Sequence, residues 1–221
     1  DLRRSRGLGD VYKRQFRFMR SRQMTVAGLA AKVLRVSFTG DLGYEIYVSE
    51  ADQQALYHAL LHAGEELSVR PVGSRALMSL RLEKGYGSWG REYSPEYWPQ
   101  EVGLDRLIKL DKDEDFLGKQ AYMDLMDRPP REQLVVMRVD TPNNADPVGG
   151  EPIFSTAGNY IGRVSSGGYS YTTEQGLALG FLKPEYCEPG TAVDVAALGM
   201  PHAGTVLGEA PFDPSGVRLR C

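Results

Sequence analysis

The stretch LVVMRVDTPNNADPVGGEPIFS, residues 134–155, holds two short runs typical of β-strands, Leu134–Val139 and Pro152–Ser155. Proline, asparagine and glycine fill the segment between them, and these residues favour turns. Similar runs follow at short intervals: Tyr160–Ser166, Ala178–Leu182 and Ala192–Ala197. Short strands at such spacing are typical of a small barrel or a sandwich. The second half of the chain is therefore predicted to be all β.

A proline pair marks the clearest domain boundary, Asp127–Arg131 (DRPPR), because proline continues neither a helix nor a central strand. Before it, helical and strand patterns are mixed, so the chain is predicted to be α+β. We assign residues 16–127 to a mixed α/β domain and 131–218 to the β domain. Residues 1–15 are basic and lack periodicity. We predict a disordered or non-native leader there, and we expect the native sequence to start near Phe16.

The mixed domain contains several recognisable elements. Lys32–Phe38 and Tyr44–Val48 predict a β-hairpin around a glycine-containing turn, and Ser49–Asp52 offers capping residues to a following amphipathic helix. Further patterns predict a helix buried on most sides at Arg75–Lys84, a strand at Leu104–Leu110 and a short helix at Leu117–Leu125.

Composition excludes several classes of protein. The chain has 221 residues, 42% apolar and 25% charged, with a net charge of −3, which is ordinary globular composition. No apolar run approaches the ~20 residues of a membrane span, and the acidic balance argues against nucleic-acid binding. The two cysteines, Cys187 and Cys221, form no disulfide framework. We expect a reducing compartment: the cytoplasm, or the mitochondrial matrix in a eukaryote.

Familiar catalytic and cofactor motifs are missing from the sequence. His58 and His62 have the i, i+4 spacing of metal ligands, but the residue after the first histidine is Ala59, and no third ligand lies nearby. We therefore predict no metal site. The glycine-rich stretches match neither a P-loop nor a GxGxxG motif that opens a helix.

Two features leave alternatives open. Alternation along Tyr44–Val48 puts Glu45 and Tyr47 on the face opposite the core. Glu45 is therefore either a solvent-facing residue or a carboxylate that accepts paired hydrogen bonds, from an arginine side chain or from a ligand with adjacent N–H groups. The loop Gly85–Pro99 is dense in glycine and aromatic residues. Either its charged residues form a solvated network and its aromatic rings join the core, or the loop forms the wall of a pocket that binds a flat ring.

Several segments together resemble the glycine-cleavage T-protein family of folate-dependent aminomethyltransferases. They are RVSFTGDLGYEIYV (Arg35–Val48), SLRLEKGYGSWGREYSPEYWPQEVGLD (Ser79–Asp105), DFLGKQA (Asp115–Ala121) and GRVSSGGYSYTTEQGLALGFL (Gly162–Leu182). The form SLRLEKGYGSWG is more similar to the carboxy-terminal half of dimethylglycine and sarcosine dehydrogenases. The resemblance implies a mixed α/β folate-binding domain followed by a small antiparallel β-barrel.

The resemblance also implies chemistry. In such dehydrogenases a flavin domain with FAD oxidises an N-methyl amine to an iminium. The folate module then transfers the one-carbon unit to tetrahydrofolate, giving 5,10-methylenetetrahydrofolate. We expect that flavin domain upstream, outside this chain. Alternatives are a stand-alone folate-dependent aminomethyltransferase or demethylase, and a non-catalytic folate-binding regulatory protein.

The family's motifs place candidate cofactor-binding residues here. Its pterin-binding glutamate matches Glu45, with Ile46 and Tyr47 beside it, and Phe38 stands where the family often has tyrosine. The family's catalytic carboxylate lies upstream of Phe16, so no catalytic residue is assigned, and we expect the chain alone to be inactive. Two further residues are expected at the folate: Trp89 in the aromatic loop, and Arg106, where related dehydrogenases have a tyrosine.

Overall fold

The computed structural model describes residues 16–142 and 145–220, so the leader prediction for residues 1–15 lies outside the described residues. Contacts divide the chain into two compact units. The first contains the described parts of residues 1–80 and 213–221, and the second contains residues 81–212. The helices are α1 (Gln53–Ala63), α2 (Ser74–Glu83), α3 (Lys119–Met126) and α4 (Val217–Arg220). No helix in the described ranges is long and apolar enough to cross a membrane.

The first unit contains a three-stranded antiparallel sheet, with β1 (Ser21–Val26), β2 (Leu29–Leu34) and β3 (Glu45–Tyr47) in that order. Ala27 and Gly28 join β1 to β2, and both have positive φ. A two-residue turn of this kind matches the right-handed twist of the paired strands. The sheet therefore begins with a tight hairpin.

The core of this unit lies on one face of the sheet. Ala31 and Val33 alternate along β2 and are buried together with Phe16. Val26, Ile46 and Val48 pack against them. The predicted pairing of β2 with β3 is confirmed, but the predicted five-residue turn is wrong. The chain leaves β2 after Leu34, and the buried guanidinium of Arg35 donates to the Phe16 carbonyl oxygen, 2.7 Å away.

The second unit contains a closed, six-stranded antiparallel barrel. Its strands are β4 (Gln133–Val139), β5 (Pro152–Ser155), β6 (Tyr160–Ser170), β7 (Gln175–Leu182), β8 (Ala192–Ala197) and β9 (Met200–Leu207). Their order is β4-β7-β6-β5-β8-β9, and β9 pairs with β4 to close the barrel. The predicted α+β fold class with a carboxy-terminal barrel is confirmed. Of the two all-β alternatives, a barrel or a sandwich, the structure has the barrel.

Strand β7 is buried on both faces, which explains its continuous apolar run. Ala178 and Leu182 point into the barrel core, while Leu177 and Leu179 pack outside it against Leu82. Only the last turn of α2 is buried. The prediction that this helix is buried on most sides is therefore wrong, and Leu77, for example, is exposed.

The strand predicted at Leu104–Leu110 is also wrong. Residues Asp105–Leu107 form a 3-10 turn. The amide of Leu107 donates to the carbonyl of Leu104, and the amide of Ile108 donates to that of Asp105. These local hydrogen bonds replace a strand ladder.

Candidate functional site

Strand β3 presents a carboxylate and a phenol on its exposed face. Glu45 and Tyr47 are exposed, whereas Ile46 packs against the core of the first unit. This is the alternation predicted from the sequence. The two polar side chains therefore lie on the same side of one short strand.

Glu45 and Tyr47 form a direct hydrogen bond. The Tyr47 hydroxyl donates to Oε2 of Glu45 over 2.6 Å. This hydrogen bond and the negative charge of Glu45 raise the pKa of Tyr47 above its ordinary value. In the described part of the chain, no other group donates to the Glu45 carboxylate. The carboxylate is thus oriented by one donor and keeps free lone pairs on both oxygens.

A cleft of about 300 Å³ lies between β3 and α1. Its walls are mostly apolar and include two phenol rings. They are formed by Ile46, Tyr47, Val48, Gln53, Leu56, Tyr57 and Leu60. Apolar walls with a few polar groups are typical of small-molecule sites. The cleft and the Glu45 carboxylate share one strand, and the whole arrangement belongs to the first unit.

The remaining predicted site residues lie elsewhere in the chain. Phe38 is half-buried in the connection between β2 and β3, in the same unit as Glu45. Trp89 and Arg106 belong to the second unit, and both are exposed, with 86% of Trp89 accessible. Arg106 donates to the carbonyl oxygen of Gly103. The structure brings together Glu45, Ile46 and Tyr47, and the binding role of every predicted residue stays a prediction.

The aromatic loop, residues 85–99, is anchored by a buried carboxylate. Glu92 has no exposed surface. Its Oε2 accepts from the Ser88 amide at 2.8 Å, the Ser88 hydroxyl at 3.2 Å and Nη1 of Arg81 at 3.5 Å. Its Oε1 accepts from the hydroxyls of Ser165, at 2.7 Å, and Ser166. The charged side chain of Glu92 is thus part of the protein interior.

A β-bulge explains how two consecutive serines reach one carboxylate. Successive side chains of a regular strand point to opposite faces. The register of β6 against β7 shifts between Val164 and Ser166, leaving Ser165 as the extra residue. Burial alone would raise the pKa of Glu92, but the hydrogen bonds from Ser166, Ser88 and Ser165 outweigh it and lower the pKa.

A second carboxylate fixes the end of the aromatic loop. Glu101 is buried and accepts three hydrogen bonds from Arg131, through its amide, Nε and Nη2. The Arg131 guanidinium also lies 4.5 Å above the Trp98 ring. Burial acts to raise the pKa of Glu101, yet the hydrogen bonds from Arg131 and Trp98 lower it. The loop is thus anchored both at Glu92 and at its end.

The sequence analysis missed the serines that hydrogen-bond the buried carboxylates of Glu92 and Glu83. Ser170 on β6 donates to Oε1 of the buried Glu83, 2.9 Å away. The available signal was the run SSGGYS at residues 165–170, whose first two serines lie at the end of the predicted strand Tyr160–Ser166. Such residues in a buried strand need polar partners.

The two histidines that the sequence singled out lie on the exposed surface of α1. His58 and His62 are both exposed, and Nδ1 of His62 lies 3.4 Å from Oε1 of Glu65. Among the described residues, no group of three or more histidine, cysteine, aspartate or glutamate side chains is arranged to hold a metal ion.

Comparison with known proteins relates both halves of the chain to one family. Residues 5–112 match the GCVT N-terminal domain, and residues 132–213 match the glycine cleavage T-protein C-terminal barrel domain. Together the two matches span well over half of the chain. They agree with the order of the motifs along the sequence and with the closed barrel.

Individual relatives agree with these matches. The chain is 36% identical over 207 residues to the mitochondrial dimethylglycine dehydrogenase of Rattus norvegicus, covering 93% of this chain and 24% of that protein. It is 36% identical over 174 residues to an aminomethyltransferase of Saccharopolyspora erythraea, covering 79% of this chain and 47% of that protein.

A solved structure shows the same architecture. The glycine cleavage system aminomethyltransferase T from Bartonella henselae matches with a TM-score of 0.80 and 25% sequence identity, over 91% of this chain and 54% of that one. The chain thus spans about a quarter to a half of the relatives it matches. Its fold, its motifs and both domain matches agree: the chain belongs to the glycine cleavage T-protein family.

Proposed function

We propose that this chain is the tetrahydrofolate-binding module of a dimethylglycine or sarcosine dehydrogenase-like enzyme. The full enzyme would form 5,10-methylenetetrahydrofolate from the one-carbon unit of an oxidised N-methyl amine. The observation that carries the proposal is the exposed Glu45 carboxylate, oriented by Tyr47 on β3 beside an apolar cleft. Membership of the aminomethyltransferase family supports it.

The chemistry of this face fits a pterin. One edge of a pterin ring presents N–H donors side by side, and a carboxylate accepts such a pair with two parallel hydrogen bonds. The Tyr47 hydroxyl occupies only part of the acceptor capacity of Glu45. The cleft of about 300 Å³ next to the strand supplies apolar walls and phenol rings for the flat ring system. Glu45 would therefore orient the pterin and Tyr47 would orient Glu45.

The other predicted contacts extend this proposal. Phe38 would add a ring surface without the hydroxyl group that tyrosine supplies in relatives. Trp89 and Arg106 lie in the second unit, and their contacts with folate stay predictions from the family resemblance. Bound tetrahydrofolate supplies the amine nitrogens that accept the one-carbon unit. We assign FAD, and the oxidation of the N-methyl amine, to an upstream flavin domain.

A stand-alone aminomethyltransferase is the second candidate, supported by the 36% identity to the Saccharopolyspora erythraea enzyme. The longer gene distinguishes the two candidates, because only the dehydrogenase requires a flavin domain. Folate binding without one-carbon transfer in the complete protein would instead support a regulatory role. For a eukaryotic protein of the dehydrogenase type, the mitochondrial rat relative supports a matrix location, and a bacterial one would be cytoplasmic.

Calorimetric titration of tetrahydrofolate tests the assignment of Glu45. The complete protein is compared with Glu45→Gln, Tyr47→Phe and the control Glu50→Gln, an exposed glutamate just after β3. We expect Glu45→Gln to weaken binding by about tenfold or more, because a charged acceptor is lost. Tyr47→Phe should have a smaller effect, and Glu50→Gln none. Equal affinities for the wild type and Glu45→Gln would remove Glu45 from the site.

A further inference from the structure

An open cavity of about 390 Å³ lies wholly within residues 81–212 and carries two guanidinium groups. Arg91 and Arg163 line it, together with Tyr97, Ser165 and the backbone of Gly149. None of the described residues that line it is acidic. A cavity with this lining has the chemistry of an anion site.

The charges around this cavity do not balance. Arg163 forms a two-pronged ion pair with Glu132, with both N–O distances at 2.8 Å, and Arg81 is paired with Glu92. The exposed Arg91 has no acceptor for its guanidinium among the residues that the structure describes. Besides burial, the positive charge of Arg91 lowers the pKa of Arg81. Arg91 therefore lies near another cation and lacks a counter-ion.

Tyr97 adds a fixed hydrogen-bond donor to the cavity. Its hydroxyl oxygen accepts from Nη2 of Arg163 at 2.9 Å. Its ring stacks on Phe181 with centroids 3.9 Å apart and an interplanar angle of 10°. In the described ranges, nothing accepts the hydroxyl proton of Tyr97. The phenol is thus immobilised and can donate to a ligand without reorganising.

A glycine keeps one wall of the cavity open. A Cβ atom at Gly149 would lie 2.7 Å from the carbonyl oxygen of Ser165. Only glycine allows the loop before β5 to approach β6 so closely. Any other residue there would push this loop away from the strand, so the cavity has a wall without side chains.

We propose that this cavity binds a small carboxylate ligand, held by Arg91 and Tyr97. The planar guanidinium fork of Arg91 matches a carboxylate with two parallel hydrogen bonds, and the Tyr97 hydroxyl supplies a third. The single unpaired cation suits one carboxylate rather than a multiply charged phosphate. The volume of the cavity leaves room for the body of an organic acid. This proposal is separate from the assignment of tetrahydrofolate, because none of the residues assigned to folate lines the cavity.

Titration calorimetry with sodium butyrate, which carries a single carboxylate, on the full chain at constant ionic strength tests the proposal. We expect saturable binding that Arg91→Gln weakens by about tenfold, because one charge-assisted pair is lost. The matched control is Arg128→Gln, another exposed arginine of the same unit, and it should bind as the wild type does. Tyr97→Phe keeps the ring and should weaken binding by about two- to tenfold.

Three results would overturn the proposal: no saturable heat with the wild type, the same affinity in Arg91→Gln, or tighter binding of inorganic phosphate than of butyrate. Because Arg91 is exposed and has no side-chain partner in the described part of the chain, its substitution should leave the unfolding midpoint unchanged. That midpoint, measured on each variant, separates a lost ligand contact from a lost fold.

Discussion

Glu92→Ala should be among the most destabilising substitutions in the second unit. The change removes the acceptor for the hydroxyls of Ser165 and Ser166 and for the Ser88 amide, and it leaves the buried Arg81 without its counter-ion. Breaking a buried ion pair from one side costs about 3–5 kcal/mol. The long Arg81–Glu92 contact of 3.5 Å reduces the ionic contribution. Ser88 and Ser166 lose their acceptor as well, whereas Ser165 keeps the Leu179 carbonyl oxygen at 3.1 Å.

Glu92→Gln should cost less, about 1.5–3 kcal/mol, which is the usual range for a hydrogen bond to a charged group. The amide oxygen can face Ser88, and the serine hydroxyls can rotate to accept from its NH₂ group. Adding Arg81→Met to Glu92→Gln should recover part of the loss, because it removes the unpaired buried cation. Glu96→Ala, an exposed change in the same loop, is the control and should be nearly neutral.

Urea unfolding followed by tryptophan fluorescence measures these differences. The chain has two tryptophans, Trp89 and Trp98, and both lie in the aromatic loop that Glu92 anchors. The free energies of unfolding are compared between variants whose m-value, the slope of that free energy against urea concentration, equals that of the wild type. If Glu92→Ala is no less stable than Glu96→Ala, the buried carboxylate does not hold this loop, and the argument from its hydrogen bonds is refuted.

Further predictions concern acid stability, packing and thiol reactivity. The pKa values of Glu92 and Glu101 are lower in the folded state than in the unfolded chain. Their ionised carboxylates therefore stabilise the fold fully above about pH 4.3, and this stabilisation is lost as the pH falls through the folded-state pKa values. Urea midpoints measured between about pH 7 and pH 3 should fall accordingly. Gly167→Ala would place a Cβ 2.1 Å from the carbonyl oxygen of Pro147, so thermal denaturation should show a loss of about 1–3 kcal/mol. Burial raises the pKa of Cys187 to about 11. In a Cys221→Ser variant, the remaining Cys187 thiol should therefore react slowly with a disulfide reagent near about pH 8. Rapid modification would contradict this.

Much of the barrel was predictable because its strands carry apolar runs separated by turn residues. Pro152–Ser155 and Ala192–Ala197 have the bounds that the sequence predicted. Strand β9 was missed, since MPHAGTVL begins with residues of low strand propensity and contains a glycine. Its formation depends on the open edges of β4 and β8, to which it pairs on either side.

The candidate site was predictable only in part. Alternation correctly separated Glu45 and Tyr47 from the core, because one face of β3 is covered and the other is not. The buried state of Glu92 could not be predicted locally, since its partners Ser165 and Ser166 lie 73 and 74 residues away in the chain. Long-range hydrogen bonds decide whether a charged side chain is buried, and local sequence patterns do not report them.

The pairing of β9 with β4 has a consequence for how the barrel folds while the chain is being synthesised. The first strand of the barrel meets the last, so the seam closes only after Met200–Leu207 has left the ribosome. Until then β4 and β8 each expose a row of unpaired backbone amides and carbonyls, which can pair with strands of other molecules. A nascent chain paused before residue 200 would thus keep two open strand edges, and the last strand pairs both of them in one step.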